Sequence, residues 1–340
     1  MTVSRGRLPD PVLVIGGYGY GNVGDEAILR GLLTRLAGHS VTVVSRSPTE
    51  TAVMHGVRSI GIEQAAAALR RHRSVLIGGG GLFGRDMGRI GRMLPAFGLL
   101  AIGMGKTVVI DGVDVDPPRS PSARALLPLL MRGARGVGVR DRTSARVVQR
   151  WGVTPSVRPD LSAWMAPASA DAGRQLLARA GVDTDRPTVG LALTAVDRRL
   201  AEPVLLAVSR TIERLPHVQF CFIPMSRHPW VASHDDSRLG AHLAALRPQV
   251  HLLEGPMPPD VVLAAFGQLS AVVAMRYHAM LFAERAGTPL VPISYADKTR
   301  RWLTEHDRVP VRIDAQAVTH ALTQAVATSR RSGAFVRAAS

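Results

Sequence analysis

AVVAMRYHAMLFAERAGTPLVPISYADK, Ala271 to Lys298, reads as strand, helix, strand and the start of a second helix. AVVAM and PLVPIS are short apolar runs of the kind a parallel sheet buries on both faces, and the segment between them has helical length. Arg276 and His278 follow the first run directly, and Lys298 follows the second after a short turn. An open α/β sheet keeps its ligands at the carboxyl ends of its strands, so a guanidinium, an imidazole and an ammonium are expected to converge there. A phosphorylated or carboxylated small molecule suits them, because Arg grips an oxyanion bidentately and His moves a proton near neutral pH.

The alternation extends outward from this stretch. PVLVI, VTVV, SVLIGG, TVVID and GVGVR are strand candidates of a first half, with helices such as DEAILRGLLTRLA and TSARVVQRWG between them. PTVGLALT, VQFCFIP, VHLLEG, AVVAM, PLVPIS and VPVRI are the strands of a second half. Strand and helix in turn is the signature of βαβ units. Between Arg158 and Gly173, Pro159, Pro167 and several small residues mark a hinge. The expected fold is α/β, with two Rossmann-like domains, residues 1–165 and 166–340, facing each other across a cleft.

Composition narrows the function classes. The 340 residues, 46% of them hydrophobic, suffice for two domains with their own cores. A single cysteine, Cys221, precludes an intramolecular disulfide and fits a reducing compartment. No apolar run reaches bilayer length, so the expectation is a soluble, cytoplasmic protein. The formal charge is +16, and lysine occurs only at Lys106 and Lys298, so arginine carries almost all of it. That balance suits an anionic substrate, a lipid-linked pyrophosphate or the anionic inner face of a membrane. Aromatic residues at 4%, without a basic block that interleaves them, argue against nucleic acid.

At the amino end, GGYGYGNVGDEAIL places Gly19, Gly21 and Gly24 at the G-x-G-x-x-G spacing of dinucleotide sites. The acidic residue expected about twenty positions on to hold a ribose is absent; Ser45 and Arg46 stand there, and Arg46 keeps an NADP enzyme among the alternatives. Asp25 at the helix start either caps the helix or works in the site, and it would repel a pyrophosphate. Asn22 is either a turn residue or a polar contact. A second glycine run, Gly78 to Gly81, ends another strand and lets the backbone at Gly80 approach a ligand closely.

Together, GGYGYGNVGDEAIL, GGGGLF, VRDRTSARVVQRWGV followed by RPD, and MRYHAMLFAERAGTPLVPISYADK resemble the polysaccharide pyruvyl transferase family. They occur in the family's order from Gly16 to Lys298. The resemblance implies a fold like that of GT-B glycosyltransferases and phosphoenolpyruvate as donor, a substrate rather than a cofactor. It also implies a sugar of a cell-wall or exopolysaccharide precursor as acceptor, with the donor on the C-terminal domain and the acceptor on the N-terminal one. Two positions depart from the family pattern: Asp141 stands for the usual Glu, and Met275 for the usual Ser, which removes a hydroxyl from the expected donor site.

On these grounds Arg140, Arg276 and Lys298 are the expected anion clamp, and His278 carries the proton as acid or base. Asp25 is expected to orient the acceptor or a clamp residue. Tyr18, Tyr20, Asn22, Gly80 and Asp235 are candidates for the acceptor side or cleft. SRHPWVASHDDS gathers His228, His234, Asp235 and Asp236, but without the tight spacing of a zinc motif, so capping by Ser233 or Asp235 is expected there and no metal. DGVDVDPP reads as a turn, and Cys221 as a buried, inert thiol. A nucleotide-sugar glycosyltransferase on the same scaffold and a noncatalytic anion-binding protein are the alternatives.

Overall fold

Buried apolar strands alternating with helices wind into two parallel sheets, one in each of two units. The computed structural model describes residues 7–84 and 89–338. The first unit runs to Ala166 and the second from Pro167, except that Gly21–Gly24 group with the second unit. The glycine-rich loop, expected to lie wholly in the N-terminal domain, is thus divided between the units.

In the first unit β1 (Val12–Ile15), β2 (Val41–Ser45), β3 (Arg58–Gly61), β4 (Ser74–Phe83), β5 (Thr107–Val115), β6 (Gly136–Val139) and β7 (Ser156–Val157) form one sheet. Their order is β3-β2-β1-β4-β5-β6-β7. Side chains alternate across it, as strand geometry requires. Leu13, Ile15, Val75 and Ile77 pack into one core with Leu127 and Leu130 of the helix Pro121–Gly133. Val12, Val14 and Leu76 face the opposite way, onto Ile28, Leu29 and Leu32 of the helix Val23–Arg35. The strands read as continuous apolar runs because both faces are covered. The glycine run does not terminate its strand: Gly78–Gly81 lie inside β4, whose register with β5 shifts between Gly80 and Phe83.

In the second unit β8 (Thr188–Ala192), β9 (Gln219–Phe222), β10 (Val250–Leu252), β11 (Ala271–Ala274) and β12 (Leu290–Pro292) are ordered β10-β9-β8-β11-β12. Val189, Leu191, Phe220, Phe222, Val273 and Val291 contribute to its core. The run VPVRI, expected as a further strand, is not one. Val309 is 82% exposed, and Val311 N donates to Pro292 O at 2.8 Å without a ladder forming. Pro310 has no N–H to give to a ladder.

Strand order reverses between β1 and β4 in the first sheet and between β8 and β11 in the second. These switch points open crevices past the carboxyl ends of the strands, where α/β sheets bind ligands. The glycine loop and the β4 glycines stand at the first, and Thr194 and Arg276 at the second.

Candidate functional site

Arg276 immediately precedes the helix Tyr277–Arg285, which starts as β11 ends, and His278 lies in that helix's first turn. Lys298 occupies the first turn of Asp297–Glu305, after the neighbouring strand β12. The three cationic or proton-carrying groups taken from the sequence therefore stand on two adjacent helix starts of one unit, and all three are partly buried.

A carboxylate not among the site residues expected from the sequence fixes the guanidinium. Asp236 accepts from Arg276 Nε at 2.9 Å and from Nη2 at 2.6 Å. It also accepts from the Ser226 N–H at 3.1 Å and from the Thr194 side chain. The Asp236 side chain is 0% exposed and that of Arg276 is 14% exposed, so the bidentate pair is largely desolvated and directional. Burial pushes the Asp236 carboxyl above its usual range, and the bonds from Arg276, Thr194 and Ser226 pull the other way. Asp235 caps the helix Asp236–Leu246, accepting from Ser237 N at 3.1 Å and Ser237 Oγ at 2.5 Å.

The Gly21–Gly24 segment is sewn onto the chain leading to Asp236. Asn22 bridges Ser226 antiparallel, Val23 N donates to Met225 O at 2.9 Å, and Arg227 N donates to Gly21 O at 2.9 Å. The Asn22 carboxamide oxygen accepts from Gly24 N at 2.9 Å, a turn made within the loop. Gly24 lies against the catalytic candidate: a Cβ there would stand 2.0 Å from His278 Nδ1. At the other end of the spacing, a Cβ on Gly19 would meet Ser45 Oγ at 2.1 Å, and Ser47 Oγ donates to Gly19 O at 3.1 Å. Close approach by the protein itself thus accounts for these glycines, and the resemblance to a dinucleotide loop is one of spacing alone.

His234 precedes Asp235 on the same loop, with His228 edge-on at 5.9 Å. Burial lowers the His234 pKa, and the charges of Arg276, His228 and Lys298 lower it further. His234 therefore senses both cationic candidates, a role its spacing in SRHPWVASHDDS did not announce. Burial also lowers the pKa of His228. Its Nδ1 accepts from the N–H groups of Trp230 and Val231 at 3.2 and 3.1 Å.

The remaining candidates lie in the first unit. Asp25 stands in the first turn of Val23–Arg35 with its carboxylate against two backbones; a Cβ on Gly80 would be 3.2 Å from Oδ1, and one on Gly17 3.6 Å from Oδ2. It thus occupies the switch point between β1 and β4. Glu26, the next residue, accepts from Gly19 N at 2.8 Å and pairs with the buried His55 at 2.7 Å, tying the loop to the helix Pro48–His55. Tyr20 is partly buried at the end of the first segment. Tyr18, expected near an acceptor, is instead 1% exposed and donates to Gly78 O at 2.8 Å. Burial, followed by the charges of Asp25 and Glu26, raises its phenol well above the ordinary value.

Arg140 also departs from expectation. Its side chain is 4% exposed, pairs with Asp114 through Nε and Nη2, and reaches Asp160 at 3.0 Å through Nη1. Two buried carboxylates thus hold the Arg140 guanidinium within the first unit. Asp141 caps the helix Arg142–Gln149 by accepting from Ser144 N at 2.6 Å. Met275 is 0% exposed and packs in the second unit's core, so the departure from Ser adds apolar contact away from the rim.

Solved structures with this fold include UDP-GlcNAc 2-epimerases and an ADP-heptose heptosyltransferase. UDP-GlcNAc 2-epimerase from Methanocaldococcus jannaschii aligns with a TM-score of 0.62 at 10% identity, covering 93% of this chain and 92% of its own. The Neisseria meningitidis UDP-GlcNAc 2-epimerase, bound to UDP-GlcNAc, gives 0.60 at 12% identity, covering 92% and 90%. The E. coli ADP-heptose lps heptosyltransferase II gives 0.55 at 14% identity, covering 94% and 99%. Two parallel-sheet α/β units of this kind define a GT-B-like fold. A search of curated protein sequences returns no match. The sequence pattern of the polysaccharide pyruvyl transferases, however, matches residues 22–297, and the chain belongs to that family.

Proposed function

We propose that the protein is a ketal pyruvyl transferase, moving the three-carbon unit of phosphoenolpyruvate onto two hydroxyls of a sugar in a cell-wall or exopolysaccharide precursor. The observation that carries this reading is the fixed Arg276–Asp236 pair at the end of β11, with His278 two residues on and Lys298 heading the helix after the adjacent strand. The fork of Arg276 suits the donor's planar carboxylate, and the compact charge of Lys298 suits its phosphate. The two helix starts add N–H donors and the positive ends of their dipoles.

In this reading the donor's methylene carbon accepts a proton and C2 becomes an oxocarbenium-like electrophile. A sugar hydroxyl adds to C2 and gives up its proton. Phosphate leaves from the same carbon, and a second hydroxyl closes the ketal with loss of its own proton. His278 serves this traffic, a contribution worth about 10²- to 10⁴-fold in rate for a positioned acid or base. Asp25 orients the acceptor, with Tyr20 and Gly80 of the same unit on the acceptor side. No cofactor takes part. The net charge of +16 favours an acceptor carried on a lipid diphosphate, met at the cytoplasmic face of a membrane.

The test is phosphate release from phosphoenolpyruvate with glycan precursors as acceptors, joined to mass spectrometry of glycans from cells with and without the protein. A pyruvate mass added only when the protein is present is the expected result. Turnover of a sugar nucleotide without consumption of phosphoenolpyruvate would replace the reading with glycosyl transfer. Donor binding without turnover of any acceptor would leave an anion sensor.

A further inference from the structure

The first unit holds a second concentration of positive charge that the proposed reaction does not use. A cavity of about 510 Å³ is lined by Ser40, Thr42, Arg58, Arg70, Arg71 and His72. Arg58 begins β3, the edge strand, and pairs in register with Thr42 near the start of β2. Arg70 and Arg71 close the 3-10 turn Leu69–Arg71. The cavity thus opens near the amino ends of these strands, whereas Asp25 and the glycines inside β4 stand past the carboxyl end of β1.

The three arginines are exposed, and among the described residues none of them takes part in an ion pair. A nearby carboxylate, Asp10, is engaged elsewhere: it accepts from Ser40 N at 3.2 Å and pairs with His39 at 2.8 Å. Arginines in the last turn of a helix complement its dipole. That accounts for Arg70 and Arg71, but not for Arg58, which comes from another element to line the same cavity. Its volume falls in the range of small-ligand sites, about 300–1,000 Å³. Guanidinium groups that line one cavity without an ion-pair partner repel one another when they approach, and a multivalent oxyanion both relieves that repulsion and takes their paired N–H donors.

We propose that this cavity binds a phosphate or diphosphate ester through Arg58, Arg70 and Arg71, as a site separate from the donor site. The same chemistry is presented by a lipid head group and by a soluble phosphorylated molecule. The two sources are told apart by the probe.

The experiment compares the wild-type chain with R58E/R70E/R71E and with a control triple, R186E/R199E/R214E, which removes the same amount of charge from exposed positions in the second unit. Inorganic pyrophosphate is titrated by calorimetry, and vesicles of phosphatidylglycerol in phosphatidylcholine are used in co-sedimentation. Affinity for at least one probe should fall in the cavity triple by about tenfold for each guanidinium that contacts the anion, and stay near wild type in the control. Loss with pyrophosphate assigns a soluble ligand; loss with vesicles alone assigns a lipid head group. Equal losses in the two triples would reduce the effect to net charge, and unchanged binding in the cavity triple, or no binding of either probe by the wild type, would overturn the proposal. Circular dichroism of each triple keeps misfolding apart from lost binding.

Discussion

Gly24 and His278 stand so close that the missing side chain of the first is the space occupied by the second: a Cβ on Gly24 would lie 2.0 Å from the imidazole Nδ1. Even one methyl group must therefore rotate or push the ring. Gly24→Ala should lower kcat by about 10²-fold or more, as for other small misplacements of a reacting group, while donor affinity stays near wild type. Steady-state kinetics with calorimetry of phosphoenolpyruvate binding checks this; full activity would remove His278 from the chemistry or show that its position there is not required.

Asp236 holds Arg276 from a fully buried position. Asp236→Asn keeps the shape and removes the charge, leaving the guanidinium with a neutral partner. Loss of one member of a buried pair costs about 3–5 kcal/mol, and the residual exposure of Arg276 places the expected value at the lower end. Urea unfolding gives the stability loss. Donor affinity should fall with it, because an unanchored fork no longer presents a fixed geometry.

Arg140 provides the contrasting case. Arg140→Met leaves Asp114 and Asp160 buried without their cation, and should destabilise the first unit by about 3 kcal/mol or more. Phosphoenolpyruvate affinity, measured on the fraction that remains folded, should be unchanged. A selective loss of donor binding at normal stability would return Arg140 to the clamp.

His234 sets a pH dependence. Its pKa is lowered from 6.5 in the folded chain by burial and by Arg276, His228 and Lys298. Between that lowered value and 6.5, the unfolded chain binds more protons than the folded one, so stability rises with pH across the window and is lost as pH falls through it. The side chain is exposed, so the slope is shallow. Urea midpoints between about pH 5 and 7 should show this slope, and His234→Gln should flatten it. An anion bound beside Arg276 and Lys298 would offset part of their repulsion, so donor binding should also take up protons in this window. Calorimetry in buffers of different ionisation enthalpy reads that uptake.

The strands most plainly legible in the chain, such as Val12–Ile15 and Ala271–Ala274, are those whose both faces are buried, because burial on both faces demands an unbroken apolar run. β3 and β7 leave no such run in the sequence, for the converse reason. Arg58–Gly61 lies at the sheet edge and is largely not buried, and Ser156–Val157 is two exposed residues at the other edge. VPVRI shows the opposite failure, since apolar composition does not supply the N–H that Pro310 lacks. Arg276 and His278 follow an apolar run directly and Lys298 follows one after a short turn, so their place at helix starts is legible from the sequence, though their role is not. Arg140 also follows a strand, and its position there does not reveal that Asp114 and Asp160 meet it.

Local periodicity, set by which side chains must leave water, determined from the sequence alone that this chain is α/β, that it has two sheet-forming halves, and which polar residues stand past the strand ends. Only the tertiary structure decided that Asp236, forty positions away, grips Arg276, that Asp114 and Asp160 neutralise Arg140, and that Gly24 makes room for His278. Those outcomes depend on contacts between distant segments, and charge pairing and steric exclusion at such contacts leave no periodic trace along the chain.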